Sequence, residues 1–276
     1  MSKPKTFAEK GVVYLVGAGP GDPELLTMKA AHLLATADVV LHDDLVPEEI
    51  IAQANPHALV TSVGKRCGRP RITQAGIHAL MIDSARRNLS VVRLKSGDPL
   101  VFGRAGEELQ ALREAGVRYE VVPGITAAFA AAAGLGLSLT DRRFASKLLF
   151  ASGHHSADKK SAPIFNGPVP LDATLVIYMP GRDFSSIAEE LLQHGLPADT
   201  PCVAVSHAAT TRQQVKTTLL KELRGLQPGH APVLLLVGSA LAGALQQPQA
   251  NAEAVIGNSM TLQDAIAYAV EQNNEQ

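Results

Sequence analysis

From Val91 the chain runs through a β-branched apolar pair into Arg93-Leu94-Lys95-Ser96-Gly97-Asp98-Pro99 and then Phe102-Gly103-Arg104-Ala105-Gly106-Glu107-Glu108, with Leu109 and Leu112 following at helical spacing. A strand, a glycine–acid loop and an amphipathic helix in that order constrain the chain to an α/β arrangement in which a strand end carries a ligand loop. Gly97 permits a backbone conformation that a side chain would penalise, and Asp98 sets two acceptor oxygens beside it. Arg104 stands where the helix begins. So many charged and glycine residues together are a poor core but a good binding loop.

A second strand–turn–helix unit opens at Gly11-Val-Val-Tyr-Leu-Val-Gly17 and continues through Ala18-Gly19-Pro20-Gly21-Asp22-Pro23 towards Leu26-Thr27. It is a poor dinucleotide fingerprint. Gly17, Gly19 and Gly21 alternate instead of following GxGxxG, and Pro20 and Pro23 remove amide donors that a phosphate cradle uses. A purely structural glycine turn is the alternative. Helices are expected over Lys29–Ala37 and Glu107–Ala115. Strands are expected over Val12–Val16, Val39–Leu41, Val91–Leu94, Leu148–Phe150, Leu175–Tyr178, Cys202–Val205 and Val233–Val237. Pro123-Gly124, ahead of an apolar helix expected over Thr126–Leu137, divides the chain into an N-terminal α/β domain at 11–123 and a C-terminal α/β domain at 124–246. Residues 1–10 form an extension. Residues 247–276 form a peripheral tail in which Met260–Val270 has the spacing of one amphipathic helix.

The chain has 276 residues, 46% of them apolar, enough for two modest cores. Its 25 Lys and Arg balance 26 Asp and Glu for a formal charge of -1, which gives no reason to expect nucleic acid; any anionic substrate must be met by local cations. Two cysteines, Cys67 and Cys202, are too few and too far apart for a disulfide scaffold or a thiolate metal cluster. The first residues lack a secretory apolar run, so a reducing, cytoplasmic setting is expected. No stretch reaches the roughly 20 apolar residues of a membrane span, and Ala127–Leu139 reads as a buried helix and turn. His154 and His155 lie in a polar, breaker-rich stretch from Gly153 to Pro168 that reads as a surface loop; without a further cysteine or a spaced acidic set they do not complete a metal shell. No metal is expected.

Gly17-Ala-Gly-Pro-Gly-Asp-Pro-Glu-Leu-Leu26, Val63-Gly-Lys-Arg66, Arg93-Leu-Lys-Ser-Gly-Asp-Pro99, Phe102-Gly-Arg-Ala-Gly-Glu-Glu108, Val122-Pro-Gly-Ile-Thr-Ala127 and Val176-Ile-Tyr-Met179 together resemble the successive signatures of the uroporphyrinogen-III C-methyltransferase family, within the tetrapyrrole methylase superfamily. The matching order extends over about residues 11 to 240, which makes it far more specific than any one short motif. The resemblance implies two α/β domains around an inter-domain active-site cleft and a homodimer. It also implies S-adenosylmethionine-dependent methylation of two pyrrole carbons of uroporphyrinogen III, giving precorrin-2 and S-adenosylhomocysteine on the route to sirohaem and cobalamin.

Carried over residue by residue, the resemblance assigns the cofactor to Pro20, Ser96, Gly97, Asp98, Val101, Thr126, Ala127, Met179 and Ala208. Their chemistry suits a nucleoside sulfonium: Asp98 accepts from ribose hydroxyls or the methionyl amine, Thr126 adds a hydroxyl, and Val101 and Met179 pack on adenine or thioether carbon. The tetrapyrrole is assigned to Asp43, Lys65, Arg66, Gln74 and Arg142, and catalysis to Arg104 with Glu107. Arginine is a poor base, since its pKa lies above about 12, so Arg104 is expected to orient substrate and support charge. Glu107 is expected to hold Arg104 by a bidentate pair or to relay a proton, with a plain solvent-facing helix pair as the alternative. Several positions depart from the family pattern: His42 for an aromatic residue, Ser96 for a glycine, Pro70 for histidine, His78 for asparagine, Asp141 for histidine, and Ser206-His207 where a glutamate and another polar residue are common. These fall mostly on the substrate side, and they keep in view another corrinoid-precursor C-methyltransferase or a noncatalytic tetrapyrrole- or nucleoside-binding protein. Diphthamide-precursor methylation is a more remote enzyme alternative.

Overall fold

The computed structural model describes residues 7–64, 72–153 and 163–245. Two five-stranded sheets follow one another along the chain. The first takes β1 (Val12–Gly17), β2 (Val39–His42), β3 (Leu59–Ser62), β4 (Val91–Lys95) and β5 (Arg118–Val122) in the order β3-β2-β4-β1-β5, all parallel. Parallel pairing requires crossovers, and α1 (Met28–Leu34), α2 (Glu48–Ile51), α3 (Gln74–Arg86) and α4 (Ala105–Glu114) supply them. The second sheet takes β6 (Lys147–Ser152), β7 (Ala173–Tyr178), β8 (Pro201–Ser206), β9 (Gln214–Leu219) and β10 (Val233–Val237) in the order β6-β7-β10-β8-β9. Only its β6–β7 pair is parallel. Helices α5 (Ala127–Gly134) and α6 (Ser185–Gln193) pack on opposite faces of that sheet.

The period-two alternation of the central strands decides what each face meets. In β1, Val12, Tyr14 and Val16 pack with Leu33 and Leu34 of α1 and Ile50 of α2, while Val13 and Leu15 pack with Ile77 and Met81 of α3 and Leu112 of α4. In β4, Val92 and Leu94 join the α1 side, which leaves Val91, Arg93 and Lys95 on the side of α3 and α4. Two long cations are thereby directed under α4. Local capping agrees with these boundaries: Thr27 Oγ1 accepts from Ala30 N at 3.1 Å and Thr73 Oγ1 from Gly76 N at 3.1 Å, closing orphan amides at the starts of α1 and α3.

All seven strands expected from the sequence are present. The structure adds β3, β5 and β9, each an edge strand of its sheet and each carrying exposed residues, so none presents the continuous apolar run that marks a strand buried on both faces. Helix α1 stops at Leu34, short of Ala37, and α5 spans Ala127–Gly134, shorter than the expected Thr126–Leu137. Thr126 occupies the N-cap position of α5, but its hydroxyl is drawn to Tyr178 Oη at 2.5 Å and makes no cap bond. The polar His154-His155 segment and the Met260–Val270 helix lie outside the described residues.

At the carboxyl ends of β1, β4 and β5 three backbones converge. Gly97, at φ +68°, exchanges hydrogen bonds with Gly19 (Gly97 N to Gly19 O 2.7 Å, Gly19 N to Gly97 O 3.2 Å). A Cβ on Gly17 would stand 2.6 Å from Gly97 O and 2.5 Å from Gly124 N, and one on Gly124 would collide with Gly97 O. Only glycine permits this approach. Gly124→Ala is therefore expected to cost about 1–3 kcal/mol by overpacking against backbone, read as a lowered midpoint in chemical denaturation. An unchanged midpoint would mean that the loops separate freely.

Candidate active site at the carboxyl edge of the parallel sheet

Ligand sites of parallel sheets lie beyond the carboxyl ends of their strands, and several of the positions marked in the sequence gather there. Pro20 follows β1; Ser96, Gly97 and Asp98 follow β4; Thr126 and Ala127 follow β5. Asp98 ties two of these loops together: Oδ1 accepts from Leu100 N at 2.8 Å and Oδ2 from Gly124 N at 3.0 Å. Each carboxylate oxygen keeps a further lone pair for a ligand donor.

The second sheet meets this edge through β7. The Tyr178 hydroxyl bonds Thr126, and the Tyr178 ring packs against Phe102 of the β4–α4 loop at 5.0 Å and Phe150 of β6 at 5.7 Å between centroids. Burial raises the Tyr178 pKa, which keeps the phenol protonated. Past β7 and β8 the chain turns sharply at Met179 (φ +49°), His207 (φ +49°) and Ala209 (φ +56°); on the other side Phe102 (φ +52°) and Arg104 (φ +56°) do the same. Apart from Asn88, these are the non-glycine residues with left-handed backbone among the described residues. Strained backbone persists only where the surroundings over-determine it, and such residues cluster at binding sites.

Beside the β4 loop lies a cavity of about 510 Å³, lined by Asp43, Gln74, Arg93, Lys95, Phe102 and Arg104 together with Thr73 and apolar and glycine positions. Beneath it is a buried charge cluster. Glu108 of α4 is fully buried and accepts from Arg93 Nε at 3.0 Å, Lys95 Nζ at 3.1 Å and, more weakly, Gln74 Nε2 at 3.4 Å. Arg93 gives three further N–H groups to Asp43 Oδ1 at 2.5 Å and to the carbonyls of Leu41 and Leu94. Burial, and next the neighbouring guanidinium of Arg93, pull the Lys95 pKa below the ordinary lysine value, against the opposing pull of Glu108. At the cavity rim, Arg104 closes a fork on Glu107, with Nε to Oε1 at 2.8 Å and Nη2 to Oε2 at 2.6 Å. That hydrogen bond, more than the charge, raises the Arg104 pKa and lowers that of Glu107.

Residues 12–224 match the family profile described as Tetrapyrrole (Corrin/Porphyrin) Methylases. The chain belongs to this family. It is 44% identical over 237 residues to the chloroplastic S-adenosyl-L-methionine-dependent uroporphyrinogen III methyltransferase of Arabidopsis thaliana, covering 84% of this chain and 64% of that one. It is 42% identical over 240 residues to the uroporphyrinogen-III C-methyltransferase of Paracoccus denitrificans, covering 86% and 84%. The chain spans about half the length of the siroheme synthases it also matches. Among solved structures, uroporphyrin-III C-methyltransferase from Thermus thermophilus complexed with S-adenosyl homocysteine superposes with a TM-score of 0.70 at 40% identity, over 83% of this chain and 98% of that one. The two-domain α/β fold is thus that of the tetrapyrrole methylases.

In this methylase Asp43, Gln74 and Arg104 line one cavity, while the positions expected from the sequence to take the cofactor follow strands of both sheets and none of them lines it. Met179 is 47% exposed and so is no core residue; Ala208 is buried, while Val101 is half-buried with its amide on Asp98 O. Glu107 pairs with Arg104 in the expected bidentate manner, and the pair is solvent-exposed, as the plain helix-pair reading required; Arg104 nevertheless lines the cavity. Arg142 is exposed and does not line the cavity, and Asp141 beside it is bound by Arg143, whose hydrogen bonds lower its pKa to about 2. Lys65 and Arg66 lie outside the described residues. Arg93, Lys95, Glu108 and Tyr178 were not singled out from the sequence. Part of the signal was present: two cations spaced i,i+2 in a strand share one face, whereas two consecutive glutamates, about 100° apart on a helix, can both stay on its polar side.

Because Asp98 holds the β4 loop to the β5–α5 loop, Asp98→Asn replaces an acceptor by an amide donor facing a backbone N–H. Losing one charge-assisted bond, worth about 1.5–3 kcal/mol, lowers the thermal midpoint and weakens S-adenosylhomocysteine about tenfold or more. Scanning calorimetry with titration calorimetry checks both. A ligand affinity equal to wild type in folded protein would remove Asp98 from the cofactor site.

Proposed function

We propose that the chain methylates two pyrrole carbons of uroporphyrinogen III from S-adenosylmethionine, forming precorrin-2 and S-adenosylhomocysteine. The observation that carries this reading is the adjacency of the two half-sites: a glycine-lined loop edge suited to a nucleoside sulfonium, and a cation-lined cavity suited to a polycarboxylate ring, share the β4–α4 loop. The names borne by relatives at 40–44% identity support it.

The cofactor fits the loop edge. Gly17, Gly97 and Gly124 bring bare backbone together where any Cβ on Gly17 or Gly124 would collide, and the Asp98 carboxylate stands beside it on Gly124 N, with Thr126 two residues on; the half-exposed Met179 offers a thioether from the end of β7. Bound there, S-adenosylmethionine supplies an electrophilic methyl group. Residues of the chain then align the acceptor carbon, which removes most of the entropic barrier to a bimolecular transfer. Phe102, Tyr178 and Phe150 close one flank with apolar rings. Arg104, held by Glu107 through Nε and Nη2, orients a peripheral carboxylate with the N–H groups left on Nη1 and Nη2. Asp43 is the carboxylate among the described residues that lines the cavity; the methylated carbon is quaternary, so the cationic macrocycle regains neutrality by losing a proton from a pyrrole nitrogen or an adjacent bridging carbon, and Asp43 Oδ2, with Oδ1 on Arg93, takes that proton.

We place the boundary between the two domains at 123/124, the protein in the cytoplasm, and its working form as a homodimer. Exposed Phe129 and Phe144, 51% and 47% accessible, supply apolar surface for the homodimer reading. Among the described residues no helix is long and apolar enough to cross a membrane.

Anaerobic turnover of uroporphyrinogen III with labelled S-adenosylmethionine, followed by mass analysis, tests the function: two added methyl groups are expected, and none with folded protein refutes it. Arg104→Lys keeps charge but loses the planar fork. Single-turnover methyl transfer is expected to slow about tenfold or more, the loss of one charge-assisted contact, with S-adenosylmethionine affinity retained. Normal chemistry in that variant would deny Arg104 a role in positioning.

A further inference from the structure

The inner wall of the cavity carries an ammonium group with a donor to spare. Lys95 ends β4 with its side chain only 3% exposed, yet it lines the cavity. Its Nζ lies 3.1 Å from Glu108 Oε1 and 3.0 Å from Oε2, two oxygens of one carboxylate. The hydrogen bond is directed at Oε1; Oε2 lacks a well-aligned donor. An ammonium has three N–H groups, and even with one given to each oxygen a third finds no acceptor among the described residues. Gly103 of the β4–α4 loop lies over its stem, so close that a Cβ there would stand 3.2 Å from Lys95 Cε and 2.6 Å from Pro99 O.

Such an arrangement is costly. Arg93, Lys95, Asp43 and Glu108 place two cations and two carboxylates beneath one cavity, where apolar residues of similar volume are often as stable or more so. Arg93 gives four of its five N–H groups to Glu108, Asp43 and two carbonyls, and its charge is shared between the two carboxylates. The ammonium that remains asks for an anionic acceptor arriving through the cavity.

We infer that Lys95 is a specificity-determining residue for the acceptor substrate: its unfilled N–H receives one acidic side chain of the tetrapyrrole at the inner end of the cavity, and Glu108 is the positioning residue that holds the ammonium there. The inference rests on the proposed tetrapyrrole substrate.

The test uses the full chain and uroporphyrin III, the stable oxidised form of the substrate, as the binding probe. Lys95→Met/Glu108→Gln removes one charge of each sign, leaves Arg93 balanced by Asp43, and keeps an amide oxygen for Arg93 Nε. Its uroporphyrin III dissociation constant is expected to rise about tenfold or more, the loss of a hydrogen bond to a charged group. S-adenosylhomocysteine affinity should hold, and under turnover KM for uroporphyrinogen III should rise more than kcat falls. If that variant does not fold, Lys95→Gln, which retains a donor for Glu108, gives the same readouts. Unchanged uroporphyrin III affinity in a folded variant, or equal weakening of both ligands, overturns the inference and leaves Lys95 a structural counter-ion. A wild-type protein that neither binds nor methylates the tetrapyrrole would instead overturn the proposed function, so the two failures are told apart.

Discussion

The site depends on how closely three loops approach at Gly17, Gly97 and Gly124. Parallel strands deliver their loops to one edge, but ordinary residues keep neighbouring loops a side chain apart. Here the carbonyl of Gly97 lies where a Cβ on either of the other two glycines would have to go. This contact brings the loop after β4 against those after β1 and β5, and Asp98 locks it by accepting from Gly124 N. Thr126, next along, then reaches Tyr178 of the second sheet. One backbone approach thus orders the cofactor loop and connects the two sheets beside it.

The charge cluster beneath the cavity is the second constraint, and it opposes stability on its own terms. A carboxylate as buried as Glu108 is tolerated because Arg93 and Lys95 reach it from the adjacent strand, and removing any one partner leaves a charge uncompensated. The cluster holds Arg93 rigidly, and Arg93 in turn fixes Asp43 at the cavity wall. The exposed Arg104–Glu107 fork differs in kind. Screened by solvent, such a pair contributes little to folding. The deep charges hold one another in place, while the exposed pair stands at the cavity rim.

Much of this was legible in the amino-acid order. The buried strands show as β-branched runs, the glycine loops as breaks after them, and the successive motifs identify the family. Edge strands β3, β5 and β9 escaped because half-exposed strands lack a continuous apolar run. The shorter α5 reflects a hydroxyl at Thr126 recruited by a tyrosine 52 residues away, a competition that local spacing cannot register.

By itself, then, the sequence determined the α/β alternation, the loops that carry ligand chemistry and the family, because these depend on residue type and near-neighbour spacing. Only the tertiary structure decided which charges are buried and whom they face. Arg93 and Lys95 are unremarkable cations until the pleat of β4 turns both beneath α4, and Glu108 differs from Glu107 only by the helical rotation that sends one inwards and the other to solvent. The partners of a buried charge come from distant parts of the chain, and the low dielectric around them makes their exact placement matter most, so that part of the site is settled by packing.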